Sequence, residues 1–163
     1  MTEPSAPDVN ELLREVALIG HDAEIVVLLE EVCRLTGMGF AAVVRVTETR
    51  WVACQVLDRI EFGMKPGDEL DVATTVCDDV RKCGHQIVID NVASDHQWRT
   101  HPMPVIYGFK SYVSLPLVMP DGRFFGTLCA LDMHERRVSA EGTVAALKAH
   151  AERIVARLCL THS

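Results

Sequence analysis

The stretch KSYVSLPLVMPDGRFFGTLCALD, residues 110–132, holds the densest structural signal in the chain. It reads as two apolar strands joined by the turn Met119-Pro120-Asp121-Gly122. Pro suits the second turn position because its φ is preset, and Gly tolerates a positive φ at the fourth. Side chains alternate across a strand, so Tyr112, Ser114 and Pro116 share one face while Val113, Leu115 and Leu117 share the other. One face is purely aliphatic, as packing requires. The opposite face mixes hydroxyls with apolar atoms, the make-up of a small-molecule pocket. On the second strand Phe125, Thr127 and Cys129 alternate with Phe124, Gly126 and Leu128, with the register between the strands left open.

Residues 91–108, just upstream, read as a long irregular connection carrying Asp95, His96, Trp98, His101, two prolines and Tyr107. Loops of that length in compact domains usually have a job. Residues 86–90 form a short strand. Asp71 suits the cap of a helix running to about Lys82, with Ala73, Val76, Cys77 and Val80 on one face and Gly84 ending it. Residues 40–46 and 51–57 are β-branched and aromatic runs flanking a polar turn, a hairpin signal. Residues 65–68 mark a loop. Helices are expected over residues 10–20 and, capped by Asp22, to about Leu35, with Ile25, Leu28, Leu29, Val32 and Cys33 at helical spacing.

Ser139 is the expected cap of a final helix ending near Leu160. Its apolar residues Val144, Leu147, Ala151, Ile154 and Leu158 are spaced 3, 4, 3 and 4, the period of a coiled-coil seam. That seam fits either a second chain or the helices of residues 10–35. The fold class is α/β of the α+β kind. A central antiparallel sheet of five to six strands carries the terminal helices on one face, and the short helix and long loop cover a pocket on the other.

At 163 residues and 48% hydrophobic, the chain fits one domain with a core large enough to fold unaided. Residues 1–9 are rich in Pro, Ser and acid and read as disordered, leaving residues 10–163 as the domain. The formal charge of −7 argues against nonspecific attraction to nucleic acid or anionic lipid. No apolar run approaches the roughly 20 residues of a membrane helix. The start MTEPSAPDVNE lacks the basic and apolar regions of a secretion signal, so a cytoplasmic protein is expected. Six cysteines in a chain of this kind read as reduced thiols.

Three segments together resemble a GAF domain, the small sensory module of histidine kinases, phytochromes and cyclases. They are residues 71–84 with QIVIDNV after them, YGFKSY leading into SLPL, and PDGRFFGTLCALD. The resemblance implies a sheet ordered 2-1-5-4-3 in the five strands above and a ligand pocket beneath the loop before the fourth strand. It also implies terminal helices that form a homodimer and a kinase or cyclase output module. The ligand or cofactor is not specified, because GAF domains take many ligands.

Candidate ligand-binding residues are Tyr112, Ser114, Thr127 and Cys129 from the strand faces, and Trp98, His101 and Tyr107 from the loop. Arg45 joins them because it interrupts an apolar strand and must reach water, a carboxylate or an anionic ligand. Covalent bilin attachment is not expected, since no cysteine lies between Cys83 and Cys129. Metal ligation by His85, Asp95, His96 and His101 lacks any reinforcing motif. No catalytic residue is assigned. A thiol-dependent reductase of the free methionine sulfoxide type is the enzyme alternative: Val76-Cys77 matches that branch's motif without its flanking glycines. Asp78 and Asp79 are expected to raise the Cys77 pKa. A purely structural dimerisation module is the third reading.

Overall fold

The computed structural model describes residues 8–161. The Asp8 carboxylate accepts from Glu11 N at 2.8 Å and so caps α1 (Val9–Gly20). Asp22 caps α2 (Ala23–Thr36) in the same way, and Gly37 ends it with φ 73°. Asp8 and Val9 thus belong to a helix start, correcting the disorder expected through residue 9. The rest of that expectation, residues 1–7, lies outside the described residues.

The hairpin β1 (Phe40–Val46) and β2 (Trp51–Asp58) falls where the β-branched runs placed it. A further strand, β3 (Glu69–Leu70), pairs with Val52 and Trp51. Two residues are too few to show alternation. The helix expected from Asp71 is split. Asp71 caps a 3₁₀ turn (Val72–Thr74), and Thr75 then caps α3 (Val76–Cys83). The Thr75 hydroxyl donates to Val72 O at 2.8 Å and accepts from Asp78 N at 3.2 Å. Such side-chain bonding to the backbone competes with a continuous helix.

β4 (Ile87–Ile89) is followed by a 3₁₀ turn (Val92–Ser94) and by α4 (Pro102–Tyr107). Helix α4 corrects the reading of residues 91–108 as wholly irregular. His101 caps it, Pro102 occupies its first position, and Gly108 closes it at φ 75°. Six residues are too short for an apolar period to register. β5 (Ser111–Val118), β6 (Phe124–Asp132) and α5 (Glu141–Thr161) complete the chain. Ser139 is not the cap of α5. Its backbone N–H and hydroxyl bond the Asp90 carboxylate at 2.9 and 2.6 Å, tying the start of the last helix to the end of β4.

The antiparallel sheet runs β3-β2-β1-β6-β5-β4, which is the expected five-strand order with β3 added at one edge. Helices α1, α2 and α5 seal one face over Val43, Val113, Leu115, Leu117, Leu128 and Ala130. The seam residues Leu147, Ala151, Ile154 and Leu158 are buried in that core. Of the two uses the seam allowed, the fold takes the intramolecular one. The 3₁₀ turns, α3 and α4 cover the opposite face.

One β-bulge corrects the parity assigned to the hairpin. Leu117 pairs with Gly126 and Val118 with Phe124, which leaves Phe125 unpaired. Phe125 therefore turns to the helical face beside Leu128, away from Thr127 and Cys129. Gly126 permits the close approach of β1 here, because a Cβ at that position would lie 1.8 Å from the Val44 carbonyl oxygen.

Candidate functional site

The face under α3 and α4 gathers polar side chains around one sulfur. β5 supplies Tyr112 and Ser114, β6 supplies Thr127 and Cys129, and the register places Ser114 opposite Cys129. α3 supplies Cys77 at its second residue, just inside the Thr75 cap. Thr127 Oγ1 donates to Cys77 Sγ at 3.1 Å, and Ser114 Oγ does so at 3.7 Å. Tyr112 Oη lies 3.2 Å from the same sulfur, and its ring stacks on Phe109 with centroids 5.0 Å apart. Cys77, Tyr112, Ser114 and Thr127 are completely buried. The indole Nε1 of Trp51, a residue 1% exposed, has no hydrogen-bond partner among the described residues.

This surrounding sets the thiol chemistry. Burial opposes ionisation of Cys77, but hydrogen bonding from Cys129, Thr127 and Tyr112, aided by the Trp51 indole, outweighs it and brings the thiol down to about 6. The Trp51 contribution acts through the N–H dipole, since no bond of good geometry is formed. The start of α3 adds positive helix-dipole potential. Its partner Cys129 is pushed well above the ordinary thiol value, by its hydrogen bond to Cys77 first and by burial second. Tyr112 is likewise raised, by burial and then by the Cys77 charge. Cys77 is thus the acidic member of the pair.

The expectation that Asp78 and Asp79 raise Cys77 is corrected. Asp78 is held by Arg81 at 2.9 Å and Lys82 at 3.2 Å, and Asp79 by His101 Nε2 at 2.7 Å. Adjacent in sequence, these carboxylates are compensated elsewhere.

The GAF domain family model matches residues 24–158, most of the chain and all six strands. The chain belongs to the GAF family. Solved structures agree on the fold. A GAF domain region from Geobacter sulfurreducens PCA superposes with a TM-score of 0.69 at 13% identity, covering 93% of this chain and 99% of that one. The GAF domain of an Acinetobacter phosphoenolpyruvate-protein phosphotransferase gives 0.66 at 12%, covering 98% and 97%. The chromophore-binding domain of the R. palustris bacteriophytochrome RpBphP3 gives 0.69 at 16%, covering 95% and 63%. No curated protein sequence matches the chain.

Within this GAF fold the eight candidate residues separate into groups. Tyr112, Ser114, Thr127 and Cys129 meet around Cys77. Trp98 and His101 sit together beside α4, with ring centroids 5.3 Å apart. His101 Nδ1 accepts from Met103 N at 3.1 Å, so the proton shared with Asp79 belongs to Nε2. Tyr107 packs against Phe62 and lines a cavity of about 230 Å³ at the β3 edge, with Met64, Glu69 and Leu70. Arg45 lies on the other face. It pairs with Glu15 of α1 at 3.0 Å, donates to Phe125 O at 2.6 Å and covers the Phe125 ring.

A cavity of about 340 Å³ between β5 and α5, lined by Leu115, Pro116, Lys148 and Glu152 among others, also lies away from the thiols. No three His, Cys, Asp or Glu side chains converge as metal ligands among the described residues. Sequence reasoning missed Trp51 as a member of the cluster and Cys77 as its centre. The apolar stripe of α3 already held Cys77, and the shared parity of Tyr112 with Ser114 and of Thr127 with Cys129 was visible. The missing piece was the register that joins them.

Proposed function

We propose that this GAF domain senses a small molecule in a bacterial-type signal-transduction system of the histidine kinase or cyclase kind. On this reading it works in the cytoplasm as a binding module rather than a catalyst. The carrying observation is the convergence of buried polar side chains beneath α3 and α4, with the Trp51 N–H left unpartnered among them. A buried donor without an acceptor costs about 1–3 kcal/mol, which an acceptor atom of a ligand would recover. Helix α4 is the movable cover. Val105 and Ile106 are 66% and 60% exposed, so its hold on the core rests on Met103, Pro104 and Tyr107. The 230 Å³ cavity at Tyr107 lies close by, since its lining residue Leu70 pairs with Trp51.

Transmission would run through strands that serve both faces. Tyr112 and Ser114 touch the polar cluster while Val113 and Leu115, their neighbours in β5, pack in the helical core with α5. A second copy would meet the apolar residues left exposed on α1 and α2, Val9, Leu13 and Val27. The output module would read the helices.

Mass and absorption spectra of the protein purified from its own host, native and denatured, test this reading. Extra mass or absorption that denaturation releases, and that Trp51→Phe weakens, supports it. An apo protein with no thermal shift across cyclic nucleotides, amino acids and tetrapyrroles would overturn it in favour of a structural dimerisation module.

A further inference from the structure

We propose that Cys77 and Cys129 are a buried redox couple that closes to a disulfide when a hydroperoxide reaches Cys77. The inference is independent of which ligand, if any, the GAF site binds. It starts from an oddity of composition. Two hydroxyls, from Ser114 and Thr127, donate to one sulfur, and a third, from Tyr112, lies 3.2 Å from it. A neutral thiol is a weak acceptor and would leave such donors poorly satisfied, whereas a thiolate is a strong one. The cluster is therefore built around a charged sulfur with no cation among its recorded partners. Hydroxyl donors and the start of α3 hold the charge instead.

A thiolate is the nucleophile of sulfur redox chemistry. Cys129, kept protonated, lies on the strand below directly opposite Ser114, whose hydroxyl reaches Cys77 Sγ at 3.7 Å, and is the resolving thiol. The contrast with the helical face supports the assignment. Burial there pushes Cys33 up to about 11 and Cys54 to about 12, with no ring of hydroxyls to offset it.

The steps balance. The Cys77 thiolate attacks one peroxide oxygen, forming an S–O bond as the O–O bond breaks. The departing alkoxide or hydroxide takes up the proton that Cys77 released on ionising. Cys129 sulfur then attacks Cys77 Sγ, the S–S bond forms, and the S–O bond breaks. The hydroxide that leaves takes the Cys129 proton. Overall, two thiols and one hydroperoxide give one disulfide, one water and one alcohol, or a second water from hydrogen peroxide. Full burial makes the first step slow, and its rate depends on opening of α4, whose Met103 Sδ accepts from Val76 N beside Cys77.

The test treats the reduced full chain with hydrogen peroxide, denatures it, alkylates the remaining thiols and maps the peptides. Carrying Cys83→Ser and Cys159→Ser removes the exposed and half-buried thiols, which leaves four. The count of alkylated thiols should fall from four to two, the Cys77 and Cys129 peptides should be joined, and reductant should restore four. Cys129→Ser, with its fold checked by circular dichroism, should instead trap a sulfenic acid on Cys77 that a dione reagent labels. Joined peptides other than this pair, or Cys77 and Cys129 still alkylated after Cys33 and Cys54 have oxidised, would overturn the proposal. So would an unlabelled Cys77 in a folded Cys129→Ser protein.

Discussion

The two faces of one sheet have been given opposite chemistry. On the helical face two cysteines, Cys33 and Cys54, sit among leucines, isoleucines and valines, and burial is the largest influence on them. On the α3–α4 face two others, Cys77 and Cys129, sit among hydroxyls, an indole and aromatic rings. All four of these cysteines are buried, at 3% exposure or less. What differs is whether the buried polar atoms have partners that favour charge. Dryness without donors silences a thiol, and dryness with donors activates it.

The strongest way to break this contrast is to damage the helical face, which the account treats as structure alone. Leu115→Ala should destabilise the fold by about 2–5 kcal/mol, read by denaturant unfolding, because it leaves a cavity under the terminal helices. Cys77 should keep its thiolate absorbance in the protein that remains folded.

The pH dependence of stability sharpens the contrast. The folded thiol of Cys77 titrates near 6 and an ordinary thiol near 9.0. Between those values the unfolded chain binds one proton more than the native one, so stability rises with pH across that window. It is lost as pH falls through the folded value. A one-proton slope is about 1.4 kcal/mol per pH unit, and Cys77→Ser should flatten it.

A smaller effect isolates one donor. Thr127→Val removes the 3.1 Å hydrogen bond and should lose about 1 kcal/mol, with the Cys77 titration moving upward by a comparable fraction. Smallest for the thiol is Arg45→Gln, which breaks the pair with Glu15 on the helical face. Whatever stability is lost with this pair, whose side chains are only 16% and 15% exposed, the Cys77 titration should stay unmoved. A shift there would mean the faces are not chemically separate.

The architecture was legible because its signals are local. Alternation in residues 110–132 separated the two faces, Asp22 and Gly37 bounded α2, and strand order followed from the family resemblance. Short elements were not legible, as β3 and α4 have no room to show a period. The bulge at Phe125 was also hidden, since an unpaired residue leaves no mark in an apolar run.

The site divided along the same line. Four strand residues were placed by parity, while the carboxylate that Arg45 reaches, one of the partners expected for it, was hidden because Glu15 is 30 positions away. Cys77 was judged by its neighbours in sequence, Asp78 and Asp79. Its neighbours in space are 26 to 52 positions distant, Trp51, Tyr112 and Cys129 among them.

The most direct measurement is the pH dependence of thiol modification in the native protein, resolved by peptide for Cys77, Cys33 and Cys54. A small methylthiolating reagent at limiting concentration would report each thiolate fraction. The account predicts a Cys77 midpoint near 6, with Cys33 and Cys54 unreactive until well above the ordinary thiol range. A Cys77 that titrates at or above 9.0, together with the other two, would contradict it.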